Sequence, residues 1–344
     1  MHMKRLLFMT LILLLVLSAC KNGNIAEQPG NIADTLKIED YYPITENVKY
    51  IYKGEGNEFA SYTVYIDYIS NGRVQTRTNN GGTETVKVME LKNGQLTELM
   101  SRNETYFREN FTGREYSNGK VLLKEPLKDG NSWSAGEGIK STITGIDKEV
   151  VTPHGNYRAI EVTTEGSKGT TLEYYAKVVG LVKSVSKGDG YEISSTLSSI
   201  EKDMPLTQTV TLFHPDIDGV NLDTVDVQVN FKTNDEAKDV IAETIKELSV
   251  YEILSTNTKI NKLYFDEKKE SVHIDLSKEF VTEMNAGAGF EGLVLQSIAN
   301  TLGTYYGVQN VFLTVDGGPY ESGHILLNED EPLKVDYSNI KAPK

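Results

Sequence analysis

Past His2, the side chains with the types for hydrolytic or metal chemistry are His154, His214, His273 and His324, together with Asp216 and Asp275. A zinc or hydrolase site would have to gather His214, His273 and His324 with one of those carboxylates. No HExxH and no paired-ligand spacing supports such a gathering. His273 falls mid-strand on a polar face and His154 precedes a glycine in a turn. The spacing therefore gives no metal ligands, no cofactor and no catalytic residues, and the expectation is a chain that is not an enzyme. "HPDIDGVNLD" sets Asp216, Asp218 and Gly219 where a calcium loop would begin, but its twelfth position is Val227 rather than a closing carboxylate. A surface turn is expected there. Gly287, Gly289 and Gly292 precede a helix without GK[ST] or GxGxxG, so they read as a flexible connection and not as a phosphate loop. The chain has nineteen tyrosines, many in its first half. They could stack on sugar rings or fill half-buried sheet faces, and both uses stay open.

The lone cysteine has a different chemistry. Cys20 ends "LLLVLSAC", after the basic pair Lys4 and Arg5 and an apolar run from Leu6 to Leu17 that only Thr10 interrupts. The run is shorter than the roughly 20 residues a spanning helix needs. Its charged start, apolar middle and small residues before the cut have the form of a secretory signal. Leu17-Ser18-Ala19-Cys20 resembles a bacterial lipobox, which implies diacylation of the Cys20 sulfur and cleavage before it. Residues 1–19 are then a signal peptide. The competing reading is an ordinary signal that happens to end in a cysteine. Two or three acyl chains hold a protein to a membrane far better than one. The expected place is the extracytoplasmic side of the cell membrane, with membrane lipid as the first partner. No thiol is left for disulfides, so stability must come from the core. The chain carries −14 overall, and −16 once the two positive charges of residues 1–20 are removed. So acidic a surface argues against nucleic acid and against lying flat on anionic lipid.

The elements divide the rest. Residues 20–40 are polar and rich in Asn and Gly, a flexible tether. Residues 41–200 read as an all-β antiparallel domain, a meander, sandwich or half-barrel. "SYTVYIDYIS" puts Tyr62, Val64, Ile66 and Tyr68 on one face, with Thr63, Tyr65 and Asp67 on the other. Asn71-Gly72, Asn93-Gly94 and Asn118-Gly119 each predict a hairpin turn, because both residues accept positive φ. "STITGIDKEVVTPHGNYRAIEVTT" and "TLEYYAKVVGLVKSVSK" predict two more strand pairs. The charged, Pro205-containing stretch 201–208 marks a domain boundary. Beyond it, two strands lead to "TNDEAKDVIAETIKEL", where Thr233 and Glu236 have the form of a capping box. Ala237, Val240, Ile241, Thr244, Ile245 and Leu248 then share one helical face. A strand pair, "NKLYFD" and "SVHIDL", precedes a second helix striped by Leu295, Ile298, Ala299 and Leu302. A last strand, "VQNVFLTVDGG", completes a small α/β domain with two helices on a sheet.

The run Ile274-Asp275-Leu276-Ser277-Lys278-Glu279-Phe280 is followed by Glu291 opening a helix and by Ala299-Asn300-Thr301-Leu302 within it. Gly307-Val308, Val311, Asp316-Gly317 and Gly323-His324 come after. This pattern resembles the GerMN domain of spore germination and sporulation lipoproteins over 208–338, most specifically over 272–317. The opening strand "VTLFHPD" departs from the family at His214, where a second aromatic is usual, and the stretch before 272 lacks the usual arginine. The resemblance implies a non-enzymatic envelope module whose fold is similar to ring-building units, with protein partners and possible self-association. It brings no catalytic residues. Asp275 is expected to bond locally to backbone donors in "DLSKEF". The function expected is an assembly lipoprotein of sporulation, germination or the envelope. Two alternatives stand beside it: a lipoprotein that binds lipid, glycan or peptide through the β-rich domain, and a cell-wall hydrolase.

Overall fold

A computed structural model describes residues 36–248, 253–328 and 330–341. The signal peptide, Cys20 and the tether as far as residue 35 lie outside the described residues. The tether expected over 20–40 ends sooner than its composition suggested. Ile38–Tyr41 form a short helix, α1, with Ile38 fully buried and its backbone N–H donating to Glu125 Oε1 at 3.1 Å. Ile38 and Tyr41, one turn apart, supply the apolar face that the spacer lacks.

Twelve antiparallel strands follow. One meander comprises β1 (Val48–Glu55), β2 (Tyr62–Ser70), β3 (Arg73–Asn79), β4 (Glu84–Lys92), β5 (Gln95–Arg102) and β6 (Lys120–Lys124). A second comprises β7 (Ser132–Gly136), β8 (Ile139–Val151), β9 (Asn156–Gly166), β10 (Gly169–Ala176), β11 (Gly180–Gly188) and β12 (Tyr191–Lys202). Pairing of β1 with β12 joins them, so the order runs from β6 to β1 and then from β12 to β7. The outer strands meet through side chains: Trp133 Nε1 donates to Val121 O, and Asn131 Nδ2 to Lys124 O, both at 2.9 Å. The sheet thereby curls into a nearly closed barrel and leaves little free edge.

Asn71-Gly72 (φ 51° and 77°) and Asn93-Gly94 (φ 53° and 66°) make the turns their sequence predicts. Asn118-Gly119 makes no hairpin, and neither residue takes positive φ. Residues 103–119 instead leave the sheet after β5 and return at β6, burying Phe107, Arg108 and Phe111 outside the barrel. Burial of two phenylalanines outweighs a local turn preference.

The second domain opens with the pair β13 (Leu206–Pro215) and β14 (Leu222–Phe231). Then come α2 (Ala237–Leu248), β15 (Ile260–Asp266), β16 (Ser271–Leu276), α3 (Glu279–Thr282), α4 (Ala288–Tyr306) and β17 (Asn310–Val315). β15 and β16 are antiparallel, while β16 and β17 are parallel and joined across α4. Two-residue strands β18 (Gly318–Pro319) and β19 (Leu333–Lys334) complete the sheet against β17. Both helices bury their predicted stripes, Ala237, Ile241 and Ile245 on α2 and Leu295, Ile298, Ala299 and Leu302 on α4. The capping box does not form. Thr233 Oγ1 accepts from Asn47 N at 2.8 Å and donates to Ile66 O at 2.8 Å, so this threonine ties the two domains together. The domain also reaches past 338: Leu222 N donates to Asn339 O and Lys341 N to Leu222 O, both at 2.9 Å.

Candidate functional site

Inside the barrel lies a cavity of about 540 Å3. That is within the range of small-molecule sites, roughly 300–1,000 Å3. Strand alternation builds it: Val64 and Ile66 from β2, Val74 and Thr76 from β3, and Lys87 and Met89 from β4 all point inward. At one end Ile66, Val74 and Met89 join Ile38, Tyr41 and Trp133 in an apolar core. The chain leaving α1 runs along the cavity as Tyr42-Pro43-Ile44. Ser101, Asn103 and Lys120 also line it and are exposed.

The walls differ in chemistry. One carries Tyr50 and Tyr52 of β1, Tyr62 of β2 and Tyr175 of β10. Tyr52 and Tyr62 are stacked with centroids 4.6 Å apart, and Tyr52 Oη donates to Leu181 O at 2.8 Å. Burial pushes the phenols of Tyr42, Tyr50, Tyr52 and Tyr62 above their ordinary range, so they stay neutral. The adjoining strands β3 to β5 carry the hydroxyls of Thr76, Thr78 and Thr85 and an ion pair, Lys87 Nζ to Glu98 Oε2 at 2.9 Å. Glu173 of β10, two residues from Tyr175 on the same strand face, puts a second carboxylate among the tyrosines. Desolvation raises its pKa, against the pull of Lys120, a hydrogen bond from Tyr175 and the pull of Lys87. Among the described residues no cation comes within 4.0 Å of it.

The outer faces of β2 to β4 are not solvated. Asp67 is fully buried between Arg77 Nη2 and Arg108 Nη1, each at 3.0 Å. Arg108 Nη2 also donates to Asp67 O and Lys232 O, both at 2.7 Å, which spans the two domains. Val86, Val88, Phe107 and Phe111 share one hydrophobic core with the second domain.

In that second domain, Asp275 accepts from Thr314 Oγ1 at 2.6 Å, Gly317 N at 2.7 Å and Asn261 Nδ2 at 3.1 Å. Its role is structural, but its partners are the neighbouring strands and the Asp316-Gly317 turn rather than "DLSKEF". These hydrogen bonds outweigh the desolvation of its carboxyl and hold its pKa below the ordinary value. Asp216 closes the expected turn, accepting from Val220 N at 3.0 Å and Asn221 N at 3.1 Å. Glu291, buried in the first turn of α4, accepts from Tyr320 Oη at 2.7 Å and from the Ser322 hydroxyl. Gly287 caps α4, whereas Gly289 and Gly292 lie inside it, so the flexible connection is shorter than expected.

Residues 211–321 match the family Germane, described as sporulation and spore germination. The match contains the whole 272–317 run on which the GerMN resemblance rests. No curated protein matches the chain. Solved structures give looser likenesses. A protein from Bacteroides fragilis, described as exported and of YmcC-like fold, aligns at 13% identity and a TM-score of 0.31, covering 47% of this chain and 99% of its own. One from Parabacteroides distasonis, described as a lipoprotein, gives 13% and 0.28, covering 47% and 98%. Another so described, from Clostridium perfringens, gives 18% and 0.24, covering 38% and 87%. At these scores the likenesses assign neither fold nor role.

The second domain keeps its histidines apart in role. His273 is stacked between Tyr264 and Phe312, with centroids at 4.9 and 4.7 Å, on the solvent side of β15, β16 and β17. His214 Nδ1 lies 3.0 Å from Pro215 O, and the His324 N–H donates to Ser322 Oγ at 3.0 Å. In the barrel, His154 contacts the Tyr157 hydroxyl. Among the described residues no three His, Cys, Asp or Glu side chains gather as a metal would require. Nor, among them, is any helix long and apolar enough to cross a membrane. Cys20, the expected lipidation site, lies outside the described residues. The sequence left ligand binding by the β-rich domain open as an alternative but did not place the cavity's lining. Its only signal was tyrosine at alternate positions, Tyr50 with Tyr52 and Tyr62 across from them, which packing alone explains equally well.

Proposed function

We propose that this chain is an extracytoplasmic lipoprotein, held to the cell membrane through acylated Cys20, whose Germane-matching module docks envelope proteins in sporulation or germination. The family match over 211–321 carries this reading, and the position of the single cysteine supports the anchor. The Tyr264–His273–Phe312 stripe supports the docking role, because aromatic side chains are enriched at protein interfaces. Tyr264 is 43% exposed and so available to a partner. The role needs no catalysis, and the partners are envelope proteins or further copies of the chain. Mass spectrometry of residue 20 from native membranes, with Cys20→Ala as control, tests the anchor. Acylated Cys20 and release of the variant from the membrane are expected, and an unmodified thiol on a soluble chain would overturn the reading. Crosslinking should recover defined envelope proteins that Tyr264→Ser with Phe312→Ser loses.

A second reading has its own observation. The cavity of about 540 Å3 favours ligand binding by the barrel, while the module serves attachment to partners.

A further inference from the structure

The two walls of the barrel cavity are mismatched for a purely apolar ligand. An acyl chain would suit Leu181, Val64 and the tyrosine rings, but it would strip water from the Lys87–Glu98 pair and from Glu173 and return no hydrogen bond. Burying charged groups against hydrocarbon without replacing their water is unfavourable. A small, freely soluble polar ligand would satisfy the carboxylates but leave the rings of Tyr50, Tyr52 and Tyr62 against polar atoms. The ligand that suits both walls has an apolar face and a rim of hydroxyls. A pyranose ring has this form: its C–H face lies flat on an aromatic ring, and its hydroxyls donate to carboxylates and accept from ammonium and hydroxyl groups.

We infer that the barrel cavity is a saccharide site for one or two pyranose rings, with the ring face on Tyr62 and its hydroxyls donating to Glu173 and Glu98. This rests on the reading that the barrel holds a ligand, and it names the ligand class. Glu173 is the first point of recognition. Its half-buried carboxylate lines the cavity with no ion pair within 4.0 Å among the described residues, so sugar hydroxyls can donate to it alongside the Tyr175 phenol. Lys87 is held by Glu98 at 2.9 Å and presents its remaining donors to the ligand. The exposed rim of Ser101, Asn103 and Lys120 leaves a polar way in.

The test uses the full-length chain in phospholipid nanodiscs, titrated by calorimetry with chitobiose, cellobiose and maltose. At least one disaccharide should bind with a dissociation constant of order micromolar to millimolar. Glu173→Gln should weaken it about tenfold or more, as loss of a charge-assisted hydrogen bond does. Tyr62→Ala should weaken it comparably, while Tyr62→Phe, which keeps the ring, should bind nearly as the parent does. If Glu173→Gln fails to fold, the contrast between Tyr62→Ala and Tyr62→Phe decides alone. Binding that none of these variants alters would place the sugar elsewhere and overturn the inference. Parinaric acid is the counter-probe, read by energy transfer from Trp133, the only tryptophan. Transfer to it with no saccharide binding would overturn the saccharide assignment and leave a ligand-binding barrel. If neither probe binds, both fail.

Discussion

Replacing Asp67 by Asn tests how the two domains are held together. Asp67 is wholly buried and accepts from Arg77 at 3.0 Å, Arg108 at 3.0 Å and Gln75 Nε2 at 3.2 Å. Asn keeps the shape and removes the charge. Two guanidinium groups, 1% and 0% exposed, would then be left with one remaining carboxylate, Glu84, at 2.8 Å from Arg77. Removing one partner of a buried ion pair typically costs about 3–5 kcal/mol, because the other charge stays desolvated. The folding equilibrium constant should fall by two to three and a half decades at about 1.4 kcal/mol per decade. Urea unfolding of a chain lacking residues 1–20, followed by circular dichroism, would read this as a lower midpoint. Adding Arg108→Met to Asp67→Asn should recover part of the loss, since an orphaned charge is then removed. An Asp67→Asn chain within about 1 kcal/mol of the parent would refute the view that this cluster locks the domains, since exposed ion pairs contribute about that much.

Glu109, which accepts from Phe265 N at 3.1 Å, gives a pH dependence. Burial pushes its carboxyl from 4.5 up to about 7, against the Phe265 N–H and Arg114, which pull it down. Between those two values the native state keeps a proton that the unfolded chain has released. Stability from this residue therefore falls as pH rises through the window, by about 3 kcal/mol in all. Glu109→Gln should flatten that decline and raise stability at pH 8, and identical slopes in parent and variant would refute the assignment. Gly303 in α4 has no room for a methyl group: an added Cβ would lie 2.1 Å from Val335 Cγ2 and 2.9 Å from Val308 O. Gly303→Ala should cost about 1–3 kcal/mol despite alanine's better helix propensity. A thermal midpoint equal to the parent's would show that residues 333–336 yield freely.

Local signals were legible where local chemistry decides. Asn71-Gly72 and Asn93-Gly94 turn as written, with positive φ at both residues of each pair. α2 and α4 follow their apolar period because that period is the packing itself. The Thr233 capping box failed because it lies where the domains meet, and Asn47 and Ile66 took over its threonine. Asn118-Gly119 failed because burial of Phe107 and Phe111 draws the preceding segment out of the sheet. The barrel's closure and its cavity were not legible, since β1–β12 pairing joins residues about 150 positions apart and no local pattern encodes which strand closes a sheet. Asp275 shows the limit at side-chain scale. Its strand position is plain from alternation, yet Thr314 and Gly317, which hold it, come from a strand and turn about 40 residues on.

The interface and the cavity are two faces of the same three strands. On β2 to β4, Ile66, Val74, Thr76, Lys87 and Met89 line the cavity, whereas Tyr65, Gln75, Arg77, Val86 and Val88 face outward. A strand's side-chain period is two, so a slip of one residue would send Lys87 to the interface and Arg77 into the cavity. The register shift between Ile66 and Tyr68 sets this arrangement. Asp67 is the extra residue there, which lets Tyr68 follow it outward under the Arg108 guanidinium, 4.4 Å from the ring centroid. A strand without that bulge would have pointed Tyr68 inward, as strict alternation in "SYTVYIDYIS" predicts, putting a phenol ring where Ile69 now packs against the core. The irregularity that admits Asp67 to the interface therefore also decides that Ile69, and not Tyr68, packs against the barrel core.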